Sequence, residues 1–184
     1  GRIDILSEFN KEQMDQLTID AVQNAQNTSE DSQLIANVVS VVSDELINVM
    51  VEEVSKVSID DKQTLSAKVL QAIVDTEPDK MEIISNDVRD KMIQQTVESA
   101  KNQQEGTFIE EENLADVVAS IIVNTNAEIA TQFIEEVNDI ETETNLSLKV
   151  ISSISEKDSG RIDILSEFNK EQMDQLTIDA VQNA

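Results

Sequence analysis

The chain contains no cysteine and no histidine among its 184 residues. These absences remove thiolate nucleophiles, imidazole acid-base catalysts and the commonest zinc ligands together. Because most kinds of enzymatic site depend on one of these groups, we expect the protein not to be an enzyme. A chain without disulfides is compatible with the cytosol and with the outside of the cell, so cysteine usage leaves the compartment open.

Glycine and proline are almost as scarce, at Gly 3 and Pro 1. Hairpins and sheets need turn glycines in number, whereas helices joined by short Asn, Asp, Ser and Thr loops do not. The composition therefore predicts an all-α fold. Trp and Tyr are also absent, and since these residues are the usual anchors of protein interfaces, their absence argues against a strong hot spot within the chain.

Positive charge is the third deficiency, with Lys+Arg 13 against Asp+Glu 38 and a formal net charge of −25. Nucleic acid and anionic lipid both require Lys and Arg to neutralise phosphate. We therefore expect neither nucleic acid nor an anionic membrane as a partner. No apolar run approaches the roughly 18 residues of a membrane span, and no basic-then-apolar leader occurs, although an excerpt from a larger protein would lose both.

One segment is present twice, letter for letter: GRIDILSEFNKEQMDQLTIDAVQNA occupies 1–25 and again 160–184. An identity over 25 residues is not a chance event, and it indicates recent duplication or continuing homogenisation of an array. Gly1 recurs as Gly160, so the repeating unit is 159 residues long. We interpret the chain as an excerpt from a long repetitive protein, with neighbouring repeats as its first partners.

A second, diverged repeat lies within that unit. Residues 65–103 align without a gap on 146–184, with 11 identities in 39 positions, and LSAKVLQAI falls on LSLKVISSI. The preceding segments also match, VEEV with IEEV, if a few residues are inserted. The unit is thus predicted to be a tandem helical-bundle repeat of two homologous modules of about 80 residues, each a three-helix bundle in the order long, short, long. The predicted bounds are 1–27 for the C-terminal helix region of a module, 28–106 for module 1 and 107–184 for module 2, the last truncated at the start of the next unit.

Apolar periodicity places the helices. An amphipathic helix is predicted to follow a capping-box pattern at Asn10 and Gln13, with one apolar face, and to run to about Asn27. That face comprises Met14, Leu17, Ala21, Val22 and Ala25. Long helices are predicted from Thr28 or Ser29 to about Val57, from Pro78 to Gln104, and over 110–140, where NTN at 124–126 is a candidate kink or break. Shorter helices are predicted to carry Leu65 to Val74 and Leu146 to Ile154, with a loop or cap at 58–62 and Gly106 as a left-handed terminator.

Candidate sites are few. The densest carboxylates are Glu110, Glu111 and Glu112, and Glu135 with Glu136, but no calcium-loop pattern of alternating acids and glycine accompanies them. We interpret them as solvated helix faces with weak, diffuse divalent cation binding, and we assign no catalytic, cofactor-binding or metal residue. The methionines and phenylalanines are interpreted as core, and the glycosylation-like triplets at 27–29 and 145–147 as helix caps. These residues are Met14, Met50, Met81, Met92, Met173, Phe9, Phe108, Phe133 and Phe168.

The leading functional hypothesis is a structural one: a stiff spacer or stalk module of a giant acidic protein at the cell surface or outside the cell, resembling an adhesin only in architecture. One alternative is an intracellular scaffold on which each module binds a small protein partner or Ca²⁺. Another is a self-assembling filament subunit, whose assembly would depend strongly on salt because salt screens the charge. A cytoplasmic location is compatible with the same sequence.

Overall fold

The molecule is described by a computed structural model that covers residues 11–24, 34–35, 38, 42–56, 65–106, 113–140, 145–168 and 170–182. Within these residues all regular structure is helical and no strand occurs, which confirms the all-α prediction. The helices are α1 Lys11–Asn24, α2 Asp44–Lys56, α3 Leu65–Thr76, α4 Asn86–Gln104, α5 Leu114–Asn124, α6 Ala127–Asp139, α7 Leu146–Lys157, α8 Arg161–Phe168 and α9 Lys170–Gln182. A 3-10 helix, Pro78–Glu82, connects α3 to α4.

The centre of the molecule is α5, whose sequence LADVVASIIVN is apolar on almost every side. It packs against α3 and α4 on one side and against α6 and α7 on the other. Helix α9 packs on α6 and α7 at one end of the molecule, and α1 packs on α2 at the other. Buried side chains from all these helices belong to one continuous hydrophobic core.

Both long helices that begin the predicted modules are interrupted. The first, predicted to run unbroken to about Val57, is not helical at Val42 and Ser43, so that prediction is wrong there. The second breaks at Thr125 and Asn126, within the NTN sequence. The Asn126 side chain accepts a hydrogen bond from the Ile129 amide at 2.9 Å and starts α6 as its N-cap. A side chain that caps a new helix competes with continuation of the old one, which explains this break.

A basic side chain lies over each of the two interruptions. Lys80 Nζ donates a hydrogen bond of 3.2 Å to the carbonyl oxygen of Val42. Arg161 donates from Nε and Nη2 to the carbonyl oxygen of Ile122, at 3.2 and 3.1 Å, and from Nη2 to that of Thr125. Carbonyl groups at the end of a helix have no partner within the helix, and a cation there is favourable. The interruptions are therefore held by residues 36–39 positions further along the chain.

The helix predicted from Pro78 begins later than expected. Pro78 opens the short 3-10 helix, and α4 itself starts at Asn86. The apolar residues of the connecting turn stay in the core, with Met81 0% and Ile84 1% exposed. The buried Arg89 guanidinium donates to the carbonyl oxygens of Met81 and Ile84, at 3.2 and 3.5 Å. Because these carbonyls bond to a side chain instead of to helix amides, the turn does not extend α4 toward its N-terminus.

Other boundaries agree with the sequence. Helix α3 spans Leu65–Thr76, and α4 ends at Gln104. Gly106 has φ +74°, the left-handed conformation expected of a glycine terminator. In the second copy of the repeated segment, the residues before α9 form the separate helix α8, which packs against α9. The predicted caps at Asn10 and at Thr28 or Ser29, and the predicted loop 58–62, lie outside the described residues.

Candidate functional site

A groove of about 380 Å³ lies between α6 and α9 and is lined only by acidic and amide side chains. These side chains are Glu135, Asn138, Asp139, Glu171, Gln172 and Gln175. The two helices that form it start 43 residues apart, at Ala127 and Lys170, and meet because their apolar faces pack together. The groove is therefore a by-product of helix packing whose rim carries negative charge.

The groove offers acceptor oxygens. Asn138 Nδ2 donates to the backbone carbonyl of Gln172 at 2.9 Å, while Asn138 Oδ1 and Gln172 Oε1 are buried without a partner. Beside it, burial raises the pKa of the Glu136 carboxyl, and the negative charges of Asp139, Glu98 and Asp90 raise it further. Such a surface suits donors and cations and repels anions. No group of three or more Asp or Glu placed to hold a metal ion occurs in the described part of the chain.

Of the acidic residues singled out from the sequence, Glu135 is exposed and Glu136 half-buried, both on α6. Glu110, Glu111 and Glu112 lie outside the described residues. The described methionines and the phenylalanine of α6 are core, as predicted: Met50, Met81, Met92, Met173 and Phe133 are each at most 2% exposed. Asn145 occupies the N-cap position of α7, but its side chain makes no capping hydrogen bond. The triplet 27–29 and the side chains of Met14, Phe9, Phe108 and Phe168 are not described.

The repeated helix is the more informative surface. We call the side bearing Leu17 and Ala21 in α1, and Leu176 and Ala180 in α9, the Leu face. We call the side bearing Ile19 and Val22 in α1, and Ile178 and Val181 in α9, the Val face. At 3.6 residues per turn the two faces are about 150° apart around the helix axis. The same 13-residue sequence, KEQMDQLTIDAVQ, thus carries two separate apolar faces.

The two copies bury opposite faces. In α9 the Leu face is buried, with Leu176 0% exposed, and Val181 is 74% exposed. In α1 the pattern is inverted, with Leu17 50% exposed and Val22 0% exposed. Helices α6 and α7 pack against α9, whereas α2 packs against α1. Local sequence is the same in both copies, so the neighbours alone determine which face is buried.

Sequence reasoning found only part of this surface. The predicted apolar face joined Leu17, Ala21 and Val22, although Leu17 and Ala21 are exposed in α1 while Val22 is buried. The predicted apolar face does not contain Ile19, which is half-buried in α1. The signal that distinguishes two faces is angular: positions 19 and 22 are adjacent on the helix surface, and positions 17 and 21 are adjacent on another side.

Comparison of the chain with known protein families, with curated proteins and with solved structures gives no match. Among the described helices, none is long and apolar enough to cross a bilayer.

Proposed function

We propose that the chain is part of a tandem α-helical array that acts as a stiff spacer in a larger acidic protein, with no chemistry of its own. The observation that carries this proposal is the exact repetition of 25 residues at a spacing of 159. Repeats that contact only their neighbours form long, quasi-one-dimensional objects whose length scales with repeat number. The unit would contain two homologous modules, bounded near 28–106 and 107–184.

We call the parts of the chain before and after the predicted module boundary at 106 the first and the second half. The helix bounds in the two halves support the two-module organisation. Helices α2 and α6 are both 13 residues long and lie 83 residues apart. Helices α3 and α7 are both 12 residues long and lie 81 residues apart. The interruption at Val42–Ser43 precedes α2 as that at Thr125–Asn126 precedes α6. Equivalent elements therefore occur in the same order, and the first two pairs have equal lengths, as duplication predicts; the third element is the single helix α4 in the first half and the pair α8 and α9 in the second.

Equivalent side-chain contacts support it independently. At the alignment offset of 81, Lys80 corresponds to Arg161, and at the offset of 83, Val42 corresponds to Thr125. Lys80 donates to the Val42 carbonyl, and Arg161 donates to the Thr125 carbonyl. A long-range contact that recurs between corresponding residues, with Arg for Lys, is expected of two copies of one ancestral module.

Contacts across the predicted module boundary favour stiffness. Helix α5 packs on α3 and α4, and α6 and α7 pack on α4, so four pairs of helices join the halves. Arg89 Nε of α4 donates to Gln132 Oε1 of α6 at 3.2 Å. A junction built from packed helices resists bending more than a flexible Gly/Ser linker does.

Acidity would serve the same function. A net charge of −25 per 184 residues keeps identical neighbours from collapsing on one another, because like charges repel. A spacer of this kind suits a protein at the cell surface or outside the cell, where it would hold binding domains away from their point of attachment.

The test is small-angle X-ray scattering on chains of one, two and three complete 159-residue units, at two salt concentrations and with and without millimolar Ca²⁺. The spacer predicts monomers whose maximum dimension grows linearly with the number of units and is insensitive to Ca²⁺. A particle that shortens with Ca²⁺ would favour the scaffold instead. Salt-dependent oligomers would favour the filament. The exposed Leu face of α1 and the exposed Val face of α9, at opposite ends of the chain, support that alternative.

A further inference from the structure

The Val face of α9 leaves apolar surface uncovered in this chain. Ile178 is 47% exposed and Val181 74% exposed, although Leu176 and Ala180 on the Leu face are buried in the core. Single exposed apolar residues are ordinary, but two neighbouring ones on a helix that is otherwise docked need an account. Two other helices of the molecule indicate which kind of segment would cover this face in a longer chain.

The first indication is α1, which has the same sequence as α9. Its Val face is covered by α2, so that Ile19 is half-buried and Val22 is 0% exposed. A polar contact at the edge of this interface joins Gln23 Nε2 to Glu53 Oε2 at 3.5 Å. A segment with the sequence of α2 therefore fits the Val face of this helix.

The second indication is α4, the diverged counterpart of α9 at the offset of 81. Val97 and Ala100 of α4 correspond to Ile178 and Val181 of α9, and both are 0% exposed. Helix α6 packs against α4, and α6 is the counterpart of α2. In both places where the chain contains both partners, a helix of the same type therefore packs against a helix whose Val-face positions are buried.

We propose that the Val face of α9 is the docking surface for the next repeat, and that its occupant is the following copy of the segment Asp44–Lys56. One helix then contributes its Leu face to the core of its own module and its Val face to the core of the next. Successive modules share a helix instead of touching at their surfaces. The inference rests on the proposed array, because the occupant is the segment that the exact repeat predicts to follow.

The exposed Leu face of α1 fits the same shared-helix arrangement at the other end of the chain. Its Leu face, with Leu17 50% exposed, is the side that α6 and α7 cover in α9. The occupant of that face would be the corresponding pair of helices from a preceding unit. Because α1 already covers α2 within this chain, a second copy of the chain has no vacant α2 to offer to α9 without displacing α1.

Thiol protection tests the docking directly, because the chain contains no cysteine of its own. Val181→Cys and the matched Val22→Cys place one thiol at the same position of the same local sequence. Each is made in the 184-residue chain and in a lengthened chain in which residues 26–106 follow Ala184, as the repeat predicts. Lys91→Cys, on the exposed side of α4, reports any general change in reactivity.

In the 184-residue chain, we expect the thiol at position 181 to react with maleimide at least roughly ten-fold faster than that at 22, because a buried thiol reacts only after local opening. In the lengthened chain, the thiol at 181 should slow to the rate of that at 22, while the thiol at 91 is unchanged. An unchanged rate at 181 in the lengthened chain would overturn the proposal. Protection at 181 in the 184-residue chain that increases with protein concentration would also overturn it, and would assign the face to a second copy.

Val181→Asp provides a second readout. We expect it to lower the melting temperature of the lengthened chain and to leave that of the 184-residue chain unchanged. If position 181 stays reactive while the maximum dimension in scattering still grows with the number of units, the docking is wrong and the spacer stands. If the dimension does not grow but position 181 is protected, the spacer is wrong and the docking stands.

Discussion

The two halves of the molecule stabilise the contact between equivalent helices in different ways. In the first half, Ser66 Oγ of α3 donates to Gln95 Oε1 of α4 at 2.6 Å, and Gln95 Nε2 donates to the carbonyl oxygen of Ser55 at 3.1 Å. All three residues are buried. A polar network of this kind joins α2, α3 and α4 and specifies their relative positions.

In the second half, the corresponding residues are Ser147, Leu176 and Asn138. Leu176 is 0% exposed and makes an apolar contact where Gln95 makes hydrogen bonds. Ser147 Oγ is buried without a partner, since Leu176 offers no amide oxygen to accept its hydrogen bond. The second half thus retains the serine of the network without the amide that would pair with it.

The difference indicates which features the architecture needs. Four apolar positions of α2 are buried at the same places in α6, namely Ile47, Met50, Val51 and Val54 against Ala130, Phe133, Ile134 and Val137. The polar network differs, while α2 and α3 have the same order and lengths as α6 and α7. Apolar periodicity therefore determines the fold, and the buried hydrogen bonds add local specificity.

The largest expected effect comes from placing the glutamine of the first half in the second. Leu176→Gln removes a buried leucine and buries an amide for which Ser147 supplies one partner, so we expect a loss of about 3 kcal/mol in unfolding free energy. The control is Leu17→Gln in the identical sequence of α1, where the side chain is half exposed and the expected change is within about 0.5 kcal/mol. Urea denaturation measures both. Equal stability of Leu176→Gln and the parent chain would mean that the second half can form the network of the first.

The basic residues at the two interruptions provide the next comparison. Burial lowers the pKa of the Arg161 guanidinium, an effect that Asp158 opposes, and the group donates to carbonyls of Ile122 and Thr125. We expect Arg161→Met to cost about 2 kcal/mol and Lys80→Met, which loses one such bond, about 1 kcal/mol. Urea denaturation gives the two values, with Arg161→Lys expected to lie between them. If Lys80→Met were the more damaging, the two contacts would not be equivalent.

The two serines should respond differently to the same substitution. Ser66→Ala leaves Gln95 Oε1 without its short hydrogen bond and should cost about 1–2 kcal/mol. Ser147→Ala removes a hydroxyl that has no partner, so we expect a change between zero and a gain of about 1 kcal/mol. Thermal unfolding of both variants under identical conditions checks the ranking. A loss at Ser147 as large as that at Ser66 would indicate a partner for its hydroxyl.

The smallest effect concerns pH and comes from one carboxyl group of the second half, that of Glu136. Burial raises the pKa of Glu136 above its ordinary value of 4.5, with the charges of Asp139, Glu98 and Asp90 acting in the same direction. The folded state therefore binds this proton more tightly than the unfolded state, which favours folding at low pH, and this contribution is lost as the pH rises from 4.5 through the raised pKa.

Glu136→Gln should accordingly raise the melting temperature at pH 7 and leave it nearly unchanged below pH 4. Added salt should reduce the gain at pH 7, since part of it comes from charge repulsion. The matched control is Glu135→Gln, one residue away and exposed. A gain that is the same at both pH values would show that the carboxyl's ionisation is not the cause.

The helical class and several helix ends could be predicted because they depend on local residues. Scarce Gly and Pro predict helices, Gly106 predicts the end of α4, and Leu65 to Val74 predict α3. The interruption at Val42 could not be predicted in this way. It contains neither Gly nor Pro, and the contact that holds it comes from Lys80, 38 residues away.

The candidate surfaces were less accessible to sequence reasoning. The groove joins residues from α6 and α9, two helices that are distant in sequence, and no local pattern brings Asn138 to the Gln172 carbonyl. The two faces of the repeated helix show a stricter limit of prediction from local sequence. Because α1 and α9 have the same sequence, no rule that uses local sequence alone can explain why Val22 is buried and Val181 exposed.

The central position of α5 has a consequence for how the molecule opens. Its residues from Leu114 to Ile122 contact helices of both halves, so neither half can unfold while the other keeps its full set of contacts. We expect the amide protons of α5 to exchange with solvent only through global unfolding, more slowly than those of α1 and α9. The two halves would then unfold as one cooperative unit, and a proteolytic cut in either half would destabilise both.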